Sequence, residues 1–310
     1  MKRTSLTLIF LLAFTLSSYC QQKFNSTNCI SSSVEVQPQL STELRGQMET
    51  HLAEAKTQFD KNPNDADSTI WLGRRTAYLG RYKEAIEIYT KGIEKHPSDA
   101  RLYRHRGHRF ITLRCFDAAI ADFEKAVKLI KGKPDEIEPD GQPNARNIPT
   151  STLQSNIWYH LGLAYYLKKD FKNALHAYRE CMKVSKNPDM LVATTHWLYM
   201  TLRRLNRNRE ANKALTLIKE NMNIIENYDY HKLLLMYQGK IAPEKLLEEV
   251  KKGGSALSNV SVGYGVGNWF LYNGQGNEAL KIFREITSGP QWSSFGFIAA
   301  EMDLKRSHSN

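Results

Sequence analysis

Four histidines recur through the middle of the chain, about one in each repeat: His105, His160, His196 and His231. An imidazole titrates near neutral pH and binds metal ions, so these side chains have the chemistry of general bases or zinc ligands. Arginines flank the first of them and would repel a cation. Neither a zinc-protease HExxH motif nor a phosphate-binding loop occurs. We therefore predict histidines that form hydrogen bonds in a polar groove, with no metal ion and no cofactor.

The segments that contain these histidines are also rich in arginine, tyrosine and tryptophan. Arginine binds carboxylate or phosphate groups through two parallel hydrogen bonds, and all three residue types carry much of the binding energy at protein interfaces. The whole chain has 43 Lys and Arg against 32 Asp and Glu, a formal charge of +11. This balance favours acidic partners such as carboxylate-bearing peptides, anionic lipid or nucleic acid.

A recurring pattern of small and aromatic residues positions these side chains. In each copy a glycine is followed by an alanine twelve positions later and by an aromatic residue four positions after that. The copies are Gly73, Ala85 and Tyr89; Gly107, Ala119 and Phe123; Gly162, Ala174 and Tyr178; and Gly267, Ala279 and Phe283. Two small residues let a pair of helices approach closely, while the aromatic ring fills the space beside them.

The spacing resembles that of the tetratricopeptide repeat family, whose consensus recurs with a period of about 34 residues. The matching residues are Leu72, Gly73, Ala85, Tyr89, Pro97 and the segment 158–165. The resemblance implies an all-α, right-handed solenoid of about six helix pairs over residues 40–305. It also implies a leading capping helix at 40–62 and a trailing one at 291–304.

In this family the first helix of each pair lines a concave surface, and the side chains beside the packing glycine face it. The resemblance therefore implies a ligand-binding groove, and its composition of Arg, Tyr, Trp and His favours binding. The candidate groove residues are Trp71, Arg74, Arg104, His105, His108, Tyr159, His160, Tyr166, His196, Trp197, Arg203, Tyr230, His231, Tyr264 and Asn268. Because packed helices lie about 8–10 Å apart, we expect histidines of successive pairs not to meet on one metal ion.

One copy of the repeat is interrupted. Gly107 and Gly162 are much further apart than one period, and the excess lies in a Pro- and Gly-containing segment at 132–153, the insertion loop. Insertions in solenoids form loops on one face, often the binding face. Two expectations follow: a loop that lies over the groove, or a disordered surface loop. Residues 306–310 are expected to be a disordered tail.

Residues 1–20 have the features of a secretory signal peptide. Lys2 and Arg3 precede an apolar run at 6–16, which is too short to span a bilayer; a membrane anchor is the alternative. Cys20 follows this run and is either a bacterial lipidation site or part of an ordinary cleavage site. We expect an exported protein of the periplasm or cell envelope, secreted or lipid-anchored, with a flexible tether at 21–39.

Four cysteines in 310 residues are too few for a disulfide scaffold. Cys115 and Cys181 fall in different repeats, and Cys181 lies on an apolar stripe. We expect both thiols to be unpaired and packed in the interior.

Two functional hypotheses follow from these patterns. The first is a non-catalytic scaffold that binds a protein or peptide with anionic groups in the groove. The second is an enzyme or small-molecule-binding protein whose His-, Arg- and Tyr-rich pocket is closed by the insertion loop, since catalytic residues need not be adjacent in sequence. Nucleic-acid binding fits the charge but conflicts with export, so no nucleic-acid partner is expected.

Overall fold

A computed structural model describes residues 26–307 of the chain. The predicted signal peptide, the candidate lipidation site Cys20 and the last three residues of the predicted tail lie outside this range. The described part is helical, and its β structure is limited to a single bridge between Ile137 and Thr152. Within residues 26–307, no helix has both the length and the apolar character needed to cross a membrane.

Six helix pairs follow one another between two single helices in this part of the chain. The helix α1 (Thr42–Lys61) precedes the first pair, and α14 (Phe295–Ser307) follows the last. The pairs are α2 (Ala66–Tyr78) with α3 (Tyr82–Lys95), α4 (Ala100–Thr112) with α5 (Phe116–Ile130), α6 (Leu153–Leu167) with α7 (Phe171–Val184), α8 (Pro188–Arg204) with α9 (Asn208–Leu215), α10 (Tyr228–Tyr237) with α11 (Pro243–Gly253), and α12 (Ala256–Tyr272) with α13 (Gly276–Thr287). The predicted α-solenoid of helix pairs is confirmed.

The predicted meeting of glycine and aromatic residues is present in each copy. A Cβ atom on Gly107 would lie 2.9 Å from the ring of Phe123, and one on Gly162 would lie 2.8 Å from the ring of Tyr178. The other two copies have the same arrangement, and the four repeat alanines are fully buried. The ring of the second helix therefore lies directly on the bare backbone of the first, which explains why the repeat requires glycine there.

Turns and caps fix where the paired helices end and begin. Each pair turns through one residue with a left-handed backbone, at Gly80, Arg114, Lys169, Asn206, Gly239 and Gly274. Glycine adopts this conformation easily, whereas larger residues adopt it at a steric cost. Most first helices begin at a side chain that accepts a hydrogen bond from the first turn, at Asp65, Asp99, Thr152, Asn187 and Ser255.

The segment before α1 is joined to the solenoid. Residues 26–32 form a short helical segment, and Cys29 forms a disulfide with Cys115, which lies 86 residues further along the chain. Glu35 accepts a hydrogen bond of 2.8 Å from the backbone N–H of Lys83. The prediction that Cys115 is unpaired is therefore wrong, because its partner comes from a segment that the repeat pattern does not place. Cys181 is free and buried, as predicted.

Two segments of the chain cover the face formed by the first helices α2, α4, α6, α8 and α12, which we call the inner face. The insertion loop lies over α2 and α4. The helix α14 packs on the last pair and also reaches the early pairs, where Glu301 forms an ion pair of 2.9 Å with Arg114. The trailing helix thus does more than the predicted capping of the last pair.

Candidate functional site

The insertion loop places a carboxylate on the predicted anion-binding residues. The Oε2 atom of Glu138 lies 3.0 Å from Arg104 Nε, and its Oε1 atom lies 3.7 Å from His105 Nε2. The geometry at Arg104 Nε is that of an ion pair without a hydrogen bond. Arg74 donates a hydrogen bond of 2.8 Å to the carbonyl oxygen of Pro139. The anionic group that the sequence led us to expect from a ligand is thus supplied by the chain itself.

Positive charge exceeds negative charge around this carboxylate. Burial lowers the pKa of Arg104, Glu138 opposes this effect, and Arg74 and Arg109 add to it. Burial also lowers the pKa of His105 well below its usual value, and the same three arginines lower it further, so the ring is neutral at pH 7. We call Arg74, Arg104 and Arg109 the arginine cluster. Within the described residues, Glu138 is the single carboxylate in an ion pair with it.

Two histidines from successive pairs meet next to the arginine cluster. The ring centroids of His108 and His160 are 4.6 Å apart, and Phe295 of α14 lies 5.4 and 5.5 Å from them. The two rings meet because α4 and α6 pack side by side. Burial lowers the pKa of His160 to about 3, and Arg104 contributes; Tyr159 packs edge-on against this ring. Residues 26–305 contain no group of three or more His, Cys, Asp or Glu arranged to hold a metal ion.

Further along the inner face, α14 brings an acidic group into a network of buried polar side chains. Asp303 lies 2.5 Å from Arg204 and accepts a hydrogen bond of 3.1 Å from the Tyr264 hydroxyl. The hydroxyl groups of Tyr264 and Tyr166 are 3.0 Å apart, and Asn268 donates to Tyr166 at 2.9 Å. Three predicted groove residues, Tyr166, Tyr264 and Asn268, are therefore brought together in the interior.

Aromatic rings fill the middle of the inner face. His196 stacks on Tyr230 with ring centroids 4.7 Å apart, and its Nδ1 atom lies 3.3 Å from the hydroxyl oxygen of Tyr237. Burial lowers the pKa of His196 to about 3, so this ring is also neutral at pH 7. The ring of Trp197 is fully buried and meets Tyr166 edge-on at 5.1 Å. Most of these predicted contact residues are therefore core residues.

Three further predicted site residues make separate local contacts. Arg203 is half-buried and stacks on a tyrosine ring of α12, with 4.3 Å between its Cζ atom and the ring centroid. His231 Nε2 lies 2.7 Å from the carbonyl oxygen of Lys219, so it binds the α9–α10 connection. Trp71 lies 4.5 Å from the Arg74 guanidinium and supports it. These residues hold local structure and do not share one site.

Sequence reasoning missed several residues that define the site. Arg109 stands one repeat period after Arg75, which donates to a carbonyl oxygen of the insertion loop, so the repeat period could have found it. Glu138 and Asp303 carried no such signal, because neither belongs to a repeat copy. Arg204 was passed over for its neighbour Arg203, although its guanidinium turns inward to Asp303.

Known proteins resemble this chain most clearly in its third helix pair. Residues 155–188 match the family model for the tetratricopeptide repeat. Human tetratricopeptide repeat protein 13 is 34% identical over 98 residues, which is 31% of this chain and 10% of that protein. The bovine BBSome complex member BBS4 is 24% identical over 141 residues, 46% of this chain and 23% of that protein. A solved tetratricopeptide repeat protein from Parabacteroides merdae is 15% identical, with 85% of this chain and 93% of that chain covered and a TM-score of 0.47.

The matched repeat and the recurring helix pairs support a tetratricopeptide-repeat architecture for this chain. The chain spans less than a quarter of the length of either curated relative. The repeat architecture is that of a protein-interaction scaffold, because stacked helix pairs create an extended surface. Proteins built from this repeat commonly bind proteins or peptides.

Proposed function

We propose that the protein is an exported scaffold that binds an acidic segment of a partner protein at the arginine cluster. The ion pair between Glu138 and Arg104 is the observation that carries this proposal. It puts the Glu138 carboxylate against the Arg104 guanidinium, while Arg74 binds the adjacent Pro139 carbonyl oxygen and Arg109 adds positive charge near Arg104. A partner's Asp, Glu or terminal carboxylate has the same chemistry, and it takes the place of Glu138 when the insertion loop moves aside.

The insertion loop is held mainly by polar contacts that a partner can replace. In the first half of the loop, only Glu138 and Gly141 are buried, and Ile137 is 66% exposed. Arg74 and Arg75 bind main-chain carbonyl oxygens of the loop, which any extended peptide also offers. Segments with few buried apolar contacts open at a low free-energy cost. The loop is therefore suited to exchange with a partner.

Export to the periplasm or cell envelope is part of the proposal. It is supported by the disulfide between Cys29 and Cys115, since disulfides persist in oxidising compartments, and by the signal-like residues 1–20. Mass spectrometry of the native protein should give an N-terminus at or next to Cys20, with the added mass of diacylglycerol if Cys20 is lipidated. An intact Met1 on the native protein would contradict export by this signal.

We call the arginine cluster with its proposed ligand the acidic-partner site. Fluorescence anisotropy with defined peptides tests this site. A labelled peptide with several glutamates is titrated against the disulfide-bonded protein, next to its glutamine counterpart. Glu138→Gln removes the internal competitor and should tighten binding of the glutamate peptide about tenfold. A charge-assisted hydrogen bond contributes roughly 1.5–3 kcal/mol, and about 1.4 kcal/mol corresponds to one decade of affinity. Adding Arg104→Gln to that variant should remove the gain.

Glu136→Gln is the matched control, because Glu136 is an exposed carboxylate of the same loop. It changes the loop charge by the same amount and should leave peptide affinity near that of the wild type. Circular dichroism confirms that each variant is folded. The proposal is wrong if both peptides bind Glu138→Gln equally well, or if Glu136→Gln produces the same gain.

The alternative of a small-molecule pocket rests on the loop position. The insertion loop lies over the His- and Arg-rich part of the first two pairs, as a lid would. Because Glu138 already lies between Arg104 and His105, a small anion needs the same loop movement. Titration with glutarate separates the two functions, since tighter binding of glutarate than of the glutamate peptide would favour the small molecule.

A further inference from the structure

A cavity of about 320 Å³ opens on the inner face next to His108. Its walls come from segments that are distant in sequence: α4, the start of α10, the first turns of α12 and the start of α14. Tyr230, Ser261 and Phe295 are among the side chains that line it, and most of the lining is half-buried. A volume of this size accommodates one long side chain or a small molecule.

The lining of this cavity is acidic in a chain whose net charge is positive. Glu226 and Asp229 supply two carboxylates, and no Lys or Arg lines the cavity. Asp229 accepts a hydrogen bond from Ser258, and Glu226 accepts from Thr150 and Asn144. Within the described residues, neither carboxylate is in an ion pair with a basic side chain. The cavity therefore offers two carboxylates whose charge is not neutralised by the chain.

Aromatic rings complete the lining. Tyr230 and Phe295 present their rings together with the imidazole of His108. Burial lowers the pKa of His108 well below its usual value, and Arg109 and His160 contribute, so this ring carries no charge at pH 7. Arg109 does not line the cavity. Neutral aromatic faces attract cations, and they do so more strongly in sites sheltered from water.

The rim of the cavity is apolar and exposed. Leu257 lines the cavity and Tyr228 adjoins its lining residues, and each is 51% exposed, among the largest apolar side chains left open to solvent. Exposed apolar groups around a polar pocket are typical of protein interfaces. A free small amine would stay inside the cavity and would not need them. The rim therefore favours a side chain delivered by a partner protein.

We propose that this cavity, the amine pocket, binds the ammonium group of a lysine side chain from a partner protein. Asp229 and Glu226 accept hydrogen bonds from the ammonium group, and the rings of Tyr230 and Phe295 pack along the methylene stem. Apolar residues that flank the lysine in the partner pack on the rim. The inference does not rest on the acidic-partner site, because it uses other residues and the opposite charge.

Peptide binding tests the amine pocket. The probe is a fluorescent pentapeptide with a central lysine between leucines, compared with the same peptide carrying Nε-acetyl-lysine. The lysine peptide should bind the wild type at least tenfold more tightly than the acetylated one. Asp229→Asn keeps the side-chain shape and removes the charge, so it should abolish most of this difference. Glu244→Gln, at an exposed carboxylate outside the cavity, is the matched control and should leave the difference intact.

The outcomes separate this proposal from the acidic-partner site. Equal binding of the two peptides, or no saturable binding of the lysine peptide up to millimolar concentration, overturns the amine pocket. An unchanged preference in Asp229→Asn, with the fold confirmed by circular dichroism, overturns it as well. Arg104→Gln disables the acidic-partner site and must not weaken the lysine peptide. A loss in that variant would show that the peptide binds elsewhere.

Discussion

The insertion loop and α14 both cover the inner face, but they bury different kinds of surface. The helix α14 buries Ile298 and Ala300 completely, so it adds to the hydrophobic core. The insertion loop buries Glu138 and Gly141 and leaves Ile137 exposed. Since burying apolar surface contributes roughly 25 cal/mol per Å², the helix is a structural part of the solenoid and the loop is a polar cover.

Charge is balanced under α14, whereas positive charge is in excess under the insertion loop. Asp303 of α14 neutralises Arg204 in a one-to-one pair. Glu138 of the loop forms an ion pair with Arg104, and Arg74 and Arg109 add positive charge around Arg104. The part of the inner face under α14 therefore belongs to the core, because apolar surface is buried there and the charges are balanced. We infer that the part under the insertion loop binds a partner, because that cover is polar and the positive charge there is in excess.

Removing the acidic partner under α14 should have the largest effect. Asp303→Ala leaves Arg204 buried and unpaired, and we expect a loss of about 3–5 kcal/mol in the free energy of unfolding, measured by urea denaturation. Asp117→Ala is the control, because Asp117 pairs with Lys168 on the surface and should cost less than about 1 kcal/mol. Equal losses in the two variants would mean that the buried pair of Asp303 and Arg204 stabilises the fold no more than a surface ion pair does.

Breaking the disulfide should have the next largest effect, confined to the N-terminal half. The bond closes a stretch of 86 residues between Cys29 and Cys115, and the double variant Cys29→Ser/Cys115→Ser should lose about 2–4 kcal/mol. Thermal unfolding with and without dithiothreitol measures it. Reductant should lower the Tm of the wild type and leave that of the double variant unchanged; a wild type insensitive to reductant contradicts the prediction.

Acid should destabilise the protein through two neutral, buried histidines of the inner face. The pKa of His160 and of His196 is about 3 in the folded protein, against about 6.5 when unfolded. Because the folded state resists protonation, stability is complete above about pH 6.5. It decreases as the pH falls towards 3, by up to about 1.4 kcal/mol per pH unit for each histidine.

The pKa values of the two histidines are lowered for different reasons. Arg104 helps to lower the pKa of His160, whereas burial alone lowers that of His196. Arg104→Gln should therefore raise the pKa of His160 and leave His196 unchanged, as NMR of the imidazole signals would show. Stability that stays constant between about pH 7 and pH 5 would contradict the burial of both rings.

Removing the carboxylate under the loop should have the smallest effect on stability. The side chains of Glu138 and Arg104 are 8% and 10% exposed, close to the 8% and 9% of Asp303 and Arg204, so burial alone predicts equal losses. We expect Glu138→Gln to cost less than about 1 kcal/mol, because the loop opens and water reaches Arg104. Hydrogen exchange of the loop amides should become faster. A loss as large as that of Asp303→Ala would make the loop part of the core.

Much of the fold could be predicted because its signals lie within one repeat. Gly107 and Phe123 belong to the same repeat copy and meet inside one helix pair, so periodicity alone places them in contact. The same reasoning gave the caps at either end of the array. The inner-face residues were also largely identified, since Arg104 and Tyr166 occupy first helices at the predicted side.

Periodicity could not predict which segments of the chain cover the inner face. Glu138 reaches Arg104 from an insertion outside the repeat, and Asp303 reaches Arg204 from 99 residues away. These contacts depend on how strongly the stacked pairs curve. The sequence pattern does not specify that curvature. The groove implied by the resemblance is covered by the insertion loop and by α14.

The amino-acid sequence by itself determined the helix pairs, their register and the basic, aromatic composition of the inner face, because each follows from spacing within about 34 residues. Only the tertiary structure decided which of those side chains remain available. It paired Cys29 with Cys115, placed Glu138 on Arg104 and buried Trp197 in the core. The physical reason is that a face becomes covered through contacts between segments that are distant in sequence. Whether those segments meet depends on how the whole solenoid packs.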